Sequence, residues 1–582
     1  MKNFHHRFLF LTLTFLFIIG SNLIPFSYAT TIEKSDTNTA NISPGQIFYS
    51  PMLSTTAYLI DEYGNVNHTW HSSYTPGCAA YLLDNGTILR TARKGTAPFG
   101  GVGGGLQKIT WDDTIIWDFT YYTSDVLSHH DVEPLPNGNV LMIAWEEFTL
   151  SEAFQAGRDP NFMQGSYLMA DHIIEVKQTG PTTGDIVWEW HAFDHLIQDY
   201  DPAKDNYGVV ADHPELIDIN FGSSQTDWMH TNSVDYNEEL DQILISVNTF
   251  SEIWVIDHST TTQEAAGHTG GNSGKGGDLL YRWGNPRAYD HGTTANQKFF
   301  SQHDATWVEP GRPGEGNIMV FNNGQGRPQG RYSSVDEIVP PVDQNGLYTY
   351  TAGTAYGPQS QVWIYTADNP LTFYGSYLSG AERLPNGNTL ICNGPAGEFF
   401  EVTPEKVTVW EFTNPYPNYF NNNVFKINYY LEDEPNPEIP DLDAEGEITF
   451  TNVKPGEVVS SSFNLYNIGG NGSELDWIVS EWPIWGDWWI TPESGEGLTP
   501  EDGVLAINVT IEAPLKEDHE FTGVIRIENQ DDPDDFDVIP ITLITPINQN
   551  AESSIIERIF EFVFQRMQTL TINLFLFLNA IL

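Results

Sequence analysis

The sequence predicts an all-β chain: a six-bladed β-propeller over residues 45–435, an immunoglobulin-like β-sandwich over 444–545, and an amphipathic, then hydrophobic, helix over 553–582. Three observations predict it. A Trp-bearing strand, a loop and a turn-linked strand pair recur six times along the first region. Turn residues punctuate short β-branched and aromatic runs throughout. An acidic, Pro-rich segment, Glu432-Asp433-Glu434-Pro435-Asn436-Pro437, then marks a change of character.

The N-terminus reads as a secretory signal peptide over residues 1–29. Lys2, His5, His6 and Arg7 precede an apolar run over 8–19, and Ser27-Tyr28-Ala29 fits a small-residue cleavage site. That run is too short to span a bilayer comfortably. The expected location is therefore secreted or cell-surface. Export would make Asn67, Asn85, Asn471 and Asn508 legal glycosylation acceptors.

The repeat carries most of the fold information, because self-similarity at intervals of tens of residues signals blades or solenoid turns. Ile115-Ile116-Trp117-Asp118-Phe119 leads to His130 and then to Leu135-Pro136-Asn137-Gly138-Asn139-Val140. Ile186-Val187-Trp188-Glu189-Trp190 leads to His230, and Leu279-Leu280-Tyr281-Arg282-Trp283 leads to His303. Trp363 leads to Gly380-Ala381 and Leu384-Pro385-Asn386-Gly387-Asn388, and Trp410 leads to a last hydrophobic strand. An opening copy holds Trp70 and Asn85-Gly86. The Asn-Gly pairs are expected to form hairpin turns with both central residues at φ > 0. The copies differ too much in length for a solenoid, whereas a propeller tolerates long loops.

In a propeller the innermost strands line a central channel. Three of the copies place a histidine at the loop-to-inner-strand junction: His130, His230 and His303. Histidines from three distant copies would then converge on one axis, which makes them the candidate site.

Composition narrows the partners. The chain has 582 residues, with 25 Lys plus Arg against 78 Asp plus Glu and a formal charge of −53. Such a field repels nucleic acid and anionic membranes, so no nucleic-acid partner is expected. It also raises histidine pKa values, so a nucleophilic histidine needs shielding. Cys78 and Cys392 are the only cysteines and leave a single bridge open. No metal or cofactor is expected.

The segments around the histidines resemble the 3′-phosphoadenylylsulfate-independent aryl-sulfate sulfotransferases, a periplasmic or secreted propeller family. The matching stretches are His130-Asp131 before Pro134-Leu135-Pro136-Asn137-Gly138-Asn139, Asp227-Trp228-Met229-His230-Thr231-Asn232-Ser233, Gln302-His303-Asp304-Ala305-Thr306-Trp307, and Phe321-Asn322-Asn323-Gly324-Gln325-Gly326-Arg327. The resemblance implies sulfuryl transfer from a phenolic sulfate to a phenol through a sulfohistidine, without a nucleotide. His303 matches the nucleophile, and His130, His230 and Asn232 match residues around the sulfuryl group. The family has an arginine eighteen residues after the second histidine, where this chain has Asn248. Arg327, Arg331, Arg93 and Lys94 are the cations that could compensate. The rival expectations are a non-catalytic binding or adhesion propeller, which Asn248 favours, and a sulfatase in which water replaces the phenol.

The remaining features carry less. Short strands from residue 446 onward suggest the sandwich, which lacks the Cys…Trp…Cys signature of true antibody-type domains. Trp477, Trp482, Trp485, Trp488 and Trp489 could form a sugar-binding face, although core and hairpin packing is the simpler use. The C-terminal pattern of Ile555, Ile556, Ile559, Phe560, Val563, Phe564 and Met567 suits a membrane-surface anchor and equally a helix that packs on a partner. The Gly270–Gly276 loop fails the P-loop pattern, and Gly100–Gly105 lacks a Rossmann context. His191 and His195 have helical ligand spacing but no third ligand in sequence. Asp199, Asp201 and Asp205 read as a solvated loop before a calcium site.

Overall fold

The computed structural model describes residues 42–83, 85–431, 440–469, 473–532, 535–546 and 559–567. The signal-peptide segment, the acidic linker, Asn471 and most of 553–582 lie outside them. The chain divides after Leu431 into two compact units.

The first unit is built from six four-stranded antiparallel sheets that follow one another in chain order. Their first strands are Val424–Tyr430, Ala80–Leu82, Val126–Pro134, Thr231–Asn237, His303–Trp307 and Gly380–Arg383. Neighbouring sheets touch through these strands or their immediate partners, and the succession returns to its start. The closure is made by the chain itself. Val424–Tyr430 pairs with Gln46–Pro51, so the first sheet joins both ends of the unit.

Burial follows position in the sheet. The strand Val140–Thr149 is buried over its first six residues, whereas the fourth strand Ile115–Thr120 alternates, with Trp117 and Phe119 buried. Period-two alternation marks a strand with one face on a neighbour, and continuous burial marks one covered on both faces.

The repeated tryptophans sit on the fourth strands, and five of them staple their sheet to the next, whereas the Trp70 indole N–H of the first sheet is buried without a hydrogen-bond partner among the described residues. Trp117 Nε1 donates to Thr183 O (3.1 Å), Trp188 to Thr260 Oγ1 (3.1 Å), Trp283 to Pro358 O (2.7 Å) and Trp363 to Pro404 O (2.9 Å). Trp410 donates to Glu62 O at 2.8 Å, joining the sixth sheet to the first. Each of these five indoles thus covers apolar surface while its N–H finds a carbonyl or hydroxyl on the adjoining sheet.

The Pro-Asn-Gly-Asn turns differ from the expected geometry. Gly138 (φ +80°) and Gly387 (φ +87°) are left-handed, but Asn137 and Asn386 are not. Gly138 N donates to Leu135 O and Gly387 N to Leu384 O, both at 2.9 Å. The preceding proline has φ locked near −65° and takes the second position of a type I turn, which leaves only the glycine left-handed.

The second unit contains a four-stranded and a five-stranded sheet that share one core of Phe463, Leu465, Trp477, Ile507, Ile525 and Ile541, among others. One pair, Ile448–Thr451 with Phe536–Thr545, is parallel. The five tryptophans separate. Trp477 is buried in the core, Trp485 and Trp488 pack with ring centroids 5.0 Å apart, and Trp482 and Trp489 are exposed. Residues 559–567 are helical and exposed. No helix among the described residues is long and apolar enough to cross a membrane.

The staple that completes the ring can be tested. Trp410→Phe leaves Glu62 O without its indole donor and should cost about 1–3 kcal/mol, read as a lower thermal transition of the first unit by calorimetry. Trp489→Phe, at an exposed position of the second unit, should leave that transition where it is.

Candidate active site

His130, His230 and His303 lie on the first strands of the third, fourth and fifth sheets or at their entry. Pairing with the second strand breaks at the same point in each sheet: between Ser128 and Val132, Thr231 and Ser233, and His303 and Ala305. His130 (φ +51°), His230 (φ +52°) and Asp304 (φ +51°) adopt the left-handed conformation there. Side chains other than Gly, Asn and Asp rarely accept this region, and bulges of this kind re-aim a side chain out of the pleat. Strained histidines beside the pairing breaks of two sheets mark a place where backbone comfort gives way to side-chain placement.

The first strands are sheet edges, and side chains of the adjoining first strand accept backbone N–H groups that face no ladder partner. Asp131 Oδ2 accepts Val234 N (3.3 Å), Ser233 Oγ accepts Ala305 N (2.9 Å), and Asp304 Oδ2 accepts Ala381 N (3.1 Å). Lys426, from the strand that closes the first sheet, reaches Asp131 Oδ2 at 3.0 Å and Asp304 Oδ1 at 3.2 Å. Tyr81 O–H donates to the other Asp131 oxygen at 2.8 Å. All three charged groups are buried. Burial alone would discharge the ammonium, but the two carboxylates hold the Lys426 pKa above its ordinary value. A cavity of about 240 Å³ lies on this carboxylate side, lined by Asp304, Glu133, Asp235, Glu382 and Lys426 and by none of the three histidines.

The imidazoles themselves come together. The rings of His130 and His230 meet edge-to-face with centroids 4.6 Å apart. Burial depresses the His303 pKa first, and the charge of His230 depresses it further; His130 responds to both His230 and His303. The three sites are therefore electrostatically joined.

Their environments set them apart. His303 Nδ1 is 2.8 Å from Asn323 Oδ1. The Asn323 amide nitrogen donates to Gly375 O (2.7 Å) and Leu378 O (3.0 Å), so its oxygen must face the histidine. An amide oxygen only accepts, so His303 carries its proton on Nδ1 and a lone pair on Nε2. Burial lowers its pKa to about 4, against the opposing pull of Asn323, and the ring is neutral at neutral pH. The shielding that the acidic composition called for is thus present.

His230 is held the other way. Burial favours its neutral form, but Asp227 Oδ2 lies 2.5 Å from Nδ1 and the net effect raises its pKa. Asp227 is fixed in turn by Trp145 Nε1 (3.1 Å). Trp145 also stacks on His129 at 3.8 Å, and His129 Nδ1 is 2.8 Å from His130 Nδ1. Asp171 lies 3.3 Å from the His129 ring and accepts Thr231 N at 2.7 Å. Burial, with His230 next, pushes the His130 pKa well down. Gly101 lies against the His130 ring, where any Cβ would collide. That contact gives the 100–105 glycine run a use its sequence context did not reveal.

Asn232 and Asn248 both donate to Gln302 O, at 2.8 and 3.2 Å, beside His303. Arg327 does not join the histidines. Its guanidinium bonds Ser334 Oγ at 3.0 Å and lies 4.3 Å from the Tyr332 ring centroid. Lys94 is spent on Asp118 and Phe119 O, and Arg331 is exposed. Arg93 is also exposed, and its charge reaches Cys78, one residue before the Ala79 N–H that donates to His130 O. Cys78 and Cys392 are free and buried. His191 and His195 end in different places, beside Glu146 and Asp278, because the strand stops at His191. Asp199, Asp201 and Asp205 form no ligand group among the described residues.

Sequence reasoning missed His129, Trp145, Asp171 and Lys426, and assigned no role to Asp227 or Asn323. Asp304, which follows His303 and could by sequence either orient an imidazole or bond the backbone, accepts a backbone N–H, and Asp131 could have been found in the same way, since it follows His130.

The chain is thus an all-β protein with a buried cluster of differently tuned imidazoles in its first unit. The family model described as Arylsulfotransferase (ASST) matches residues 54–429, and the chain belongs to that family of sulfotransferases. Phenolic substrates follow from the family. No curated protein matches the chain. Among solved structures it is similar to a Bacteroides caccae protein of unknown function (11% identity, TM-score 0.37, 67% of this chain and 100% of that one). It is also similar to virginiamycin B lyase from Staphylococcus aureus (9%, TM-score 0.31, 64% and 85%). A third is the ASH/PapD-like domain of human CEP192 (15%, TM-score 0.17, 20% and 93%).

The buried triad yields a stability prediction. Lys426→Met strands two carboxylates beneath the histidines and should cost about 3–5 kcal/mol, measured as a lower urea midpoint. Lys426→Arg, which keeps the charge, should lose markedly less.

Proposed function

We propose that residues 45–435 form a six-bladed β-propeller that transfers a sulfuryl group from a phenolic sulfate ester to a phenol through a sulfohistidine at His303. The observation that carries this reading is the fixed tautomer of His303, a neutral, buried imidazole with its lone pair on Nε2. Six sheets in cyclic succession, closed by a strand from the far end of the unit, support the propeller. The paired sheets of the second unit support an immunoglobulin-like sandwich over 444–545. We read the N-terminal segment as secretory, which would place the enzyme outside the cytoplasm.

In the first half-reaction the Nε2 lone pair of His303 attacks sulfur, the aryl O–S bond breaks, and phenolate departs. His230, kept protonated by Asp227, donates to a sulfuryl oxygen or to the leaving oxygen. In the second half-reaction the acceptor phenol loses its proton to His130, attacks sulfur, and breaks the N–S bond. Displacement at a tetrahedral anion asks chiefly for positioning and charge stabilisation, as in phosphoryl transfer. The charge that the family arginine would supply at Asn248 falls here to the His230 imidazolium, with Arg93 as a further rim cation.

Incubation with 4-nitrophenyl sulfate and an added phenol, without nucleotide, should release 4-nitrophenolate and the new sulfate ester. His303→Ala should lower the rate at least about 10³-fold, since no other group can form the intermediate. A one-sulfuryl mass increase should appear on the His303 peptide. Release of inorganic sulfate alone would indicate a sulfatase, and no turnover or label would indicate a binding module.

The pH profile follows from the two tuned rings. The acid limb should fall near pH 4, where His303 takes up a proton. The alkaline limb should lie above 6.5, where His230 loses its proton. Asp227→Asn removes the charge that raises the His230 pKa, so the alkaline limb should move to lower pH while the acid limb stays. An unmoved alkaline limb would exclude His230 as the proton-bearing group.

A further inference from the structure

Outside the histidine cluster, two insertions meet at a second group of ligating atoms. His195 lies just beyond the short 3-10 turn Ala192–Asp194 that follows the third sheet. His268 and Asp278 bracket a glycine-rich loop that leaves the short helix Thr262–Ala265. The loop is drawn shut by Gly277 N to Gly267 O and Gly276 N to Gly270 O, both at 3.0 Å. Gly270, Gly271, Gly274 and Gly276 all have positive φ, which explains the glycine density of this failed P-loop. His195 and Asp278 are buried and His268 is exposed.

Two imidazole nitrogens converge on one carboxylate oxygen. His195 Nδ1 is 2.9 Å and His268 Nδ1 2.7 Å from Asp278 Oδ1. The rings stand at 88° to each other with centroids 5.8 Å apart, so they approach the same point from different directions and do not stack. On its other side, His195 Nε2 is 2.8 Å from Ala265 O. A carbonyl can only accept, so Nε2 carries the proton. A neutral His195 therefore turns its Nδ1 lone pair toward a carboxylate oxygen, which is repulsive unless something positive lies between them.

The ring is also held rigidly. It lies parallel to Trp190, 4° from coplanar orientation, and Trp190 Nε1 donates to Gly277 O at 2.7 Å. Any Cβ on Gly277 would collide with Ala265 O and the His195 ring. A ligating histidine whose other nitrogen donates to a backbone carbonyl, in a locked orientation, is the usual arrangement at protein metal centres.

We propose that His195 Nδ1, His268 Nδ1 and Asp278 form a binding site for a divalent transition ion of the zinc type, separate from the sulfuryl-transfer site. Two imidazoles and one carboxylate suit such an ion better than calcium or magnesium, which prefer all-oxygen shells. Three protein ligands leave a fourth position for water, on the exposed side of His268. The ion would bind the glycine-rich loop to the insertion after the third sheet. Metal-free, the same atoms could survive only as a buried imidazolium–carboxylate network.

The test is zinc binding by the full chain. Metal-stripped protein is dialysed against buffered zinc, and bound zinc is measured by mass spectrometry of the metal. Wild type should hold one more zinc per chain than His268→Ala, whose substitution lies on the surface and spares the core. By competition with a chromogenic chelator, His268→Ala should weaken that site's affinity at least about tenfold. Asp278→Asn should lose the same equivalent. His191→Gln, in the separate group of Glu146, His172 and His191, should retain it. Equal zinc content in wild type and His268→Ala would overturn the proposal, as would loss of the equivalent in His191→Gln alone. Cobalt gives a second reading. Wild type should show a visible d–d band that His268→Ala lacks, and an identical spectrum in both would overturn the site.

Discussion

The arrangement of the first unit depends on three buried charges, Lys426, Asp131 and Asp304, placed on strands of the first, third and fifth sheets. Bringing an ammonium and two carboxylates out of water is costly, and only close pairing with satisfied hydrogen bonds offsets it. Here the remaining carboxylate valences are filled by Val234 N, Ala381 N and Tyr81 O–H. Those backbone donors lie on the first strands of the fourth and sixth sheets. The two carboxylates sit at the pairing breaks of the third and fifth sheets, each directly after a histidine, and satisfy backbone donors of the neighbouring strand.

Once the backbone is set, three chemically identical side chains acquire different properties from their neighbours. An amide oxygen at Nδ1 and deep burial keep His303 neutral with a defined lone pair. A carboxylate at Nδ1 outweighs burial at His230 and raises its pKa. His130, beside His129 and without a carboxylate of its own, is driven toward the neutral form. Three different electrostatic environments are obtained from one residue type by burial and the choice of hydrogen-bond partner. Trp145 links these environments, because its N–H orients Asp227 while its face supports His129.

Much of this was legible in the sequence. The Trp-bearing copies correspond to the six fourth strands, and the three histidines lie at or within two residues of the pairing break in their first strands. The partners were not legible. Asn323 lies 20 residues beyond His303, and Lys426 lies 295 residues beyond Asp131, with nothing in the intervening chain to connect them. The turns show a smaller limit. An Asn-Gly pair signals a hairpin, but the proline before it decided the turn type. His191 and His195 show the reverse error, since helical spacing has no meaning where a strand ends between the two residues.

By itself the sequence determined the all-β character, the tryptophans that recur on the fourth strands and the three histidines proposed as the site. These are local or periodic properties, readable wherever alternation and turn residues recur. Only the tertiary structure decided which nitrogen of His303 bears its proton, which cations lie away from the histidines, and where His195, His268 and Asp278 meet. Those outcomes depend on contacts between residues far apart in the chain and on burial, and neither leaves a periodic trace in the order of amino acids.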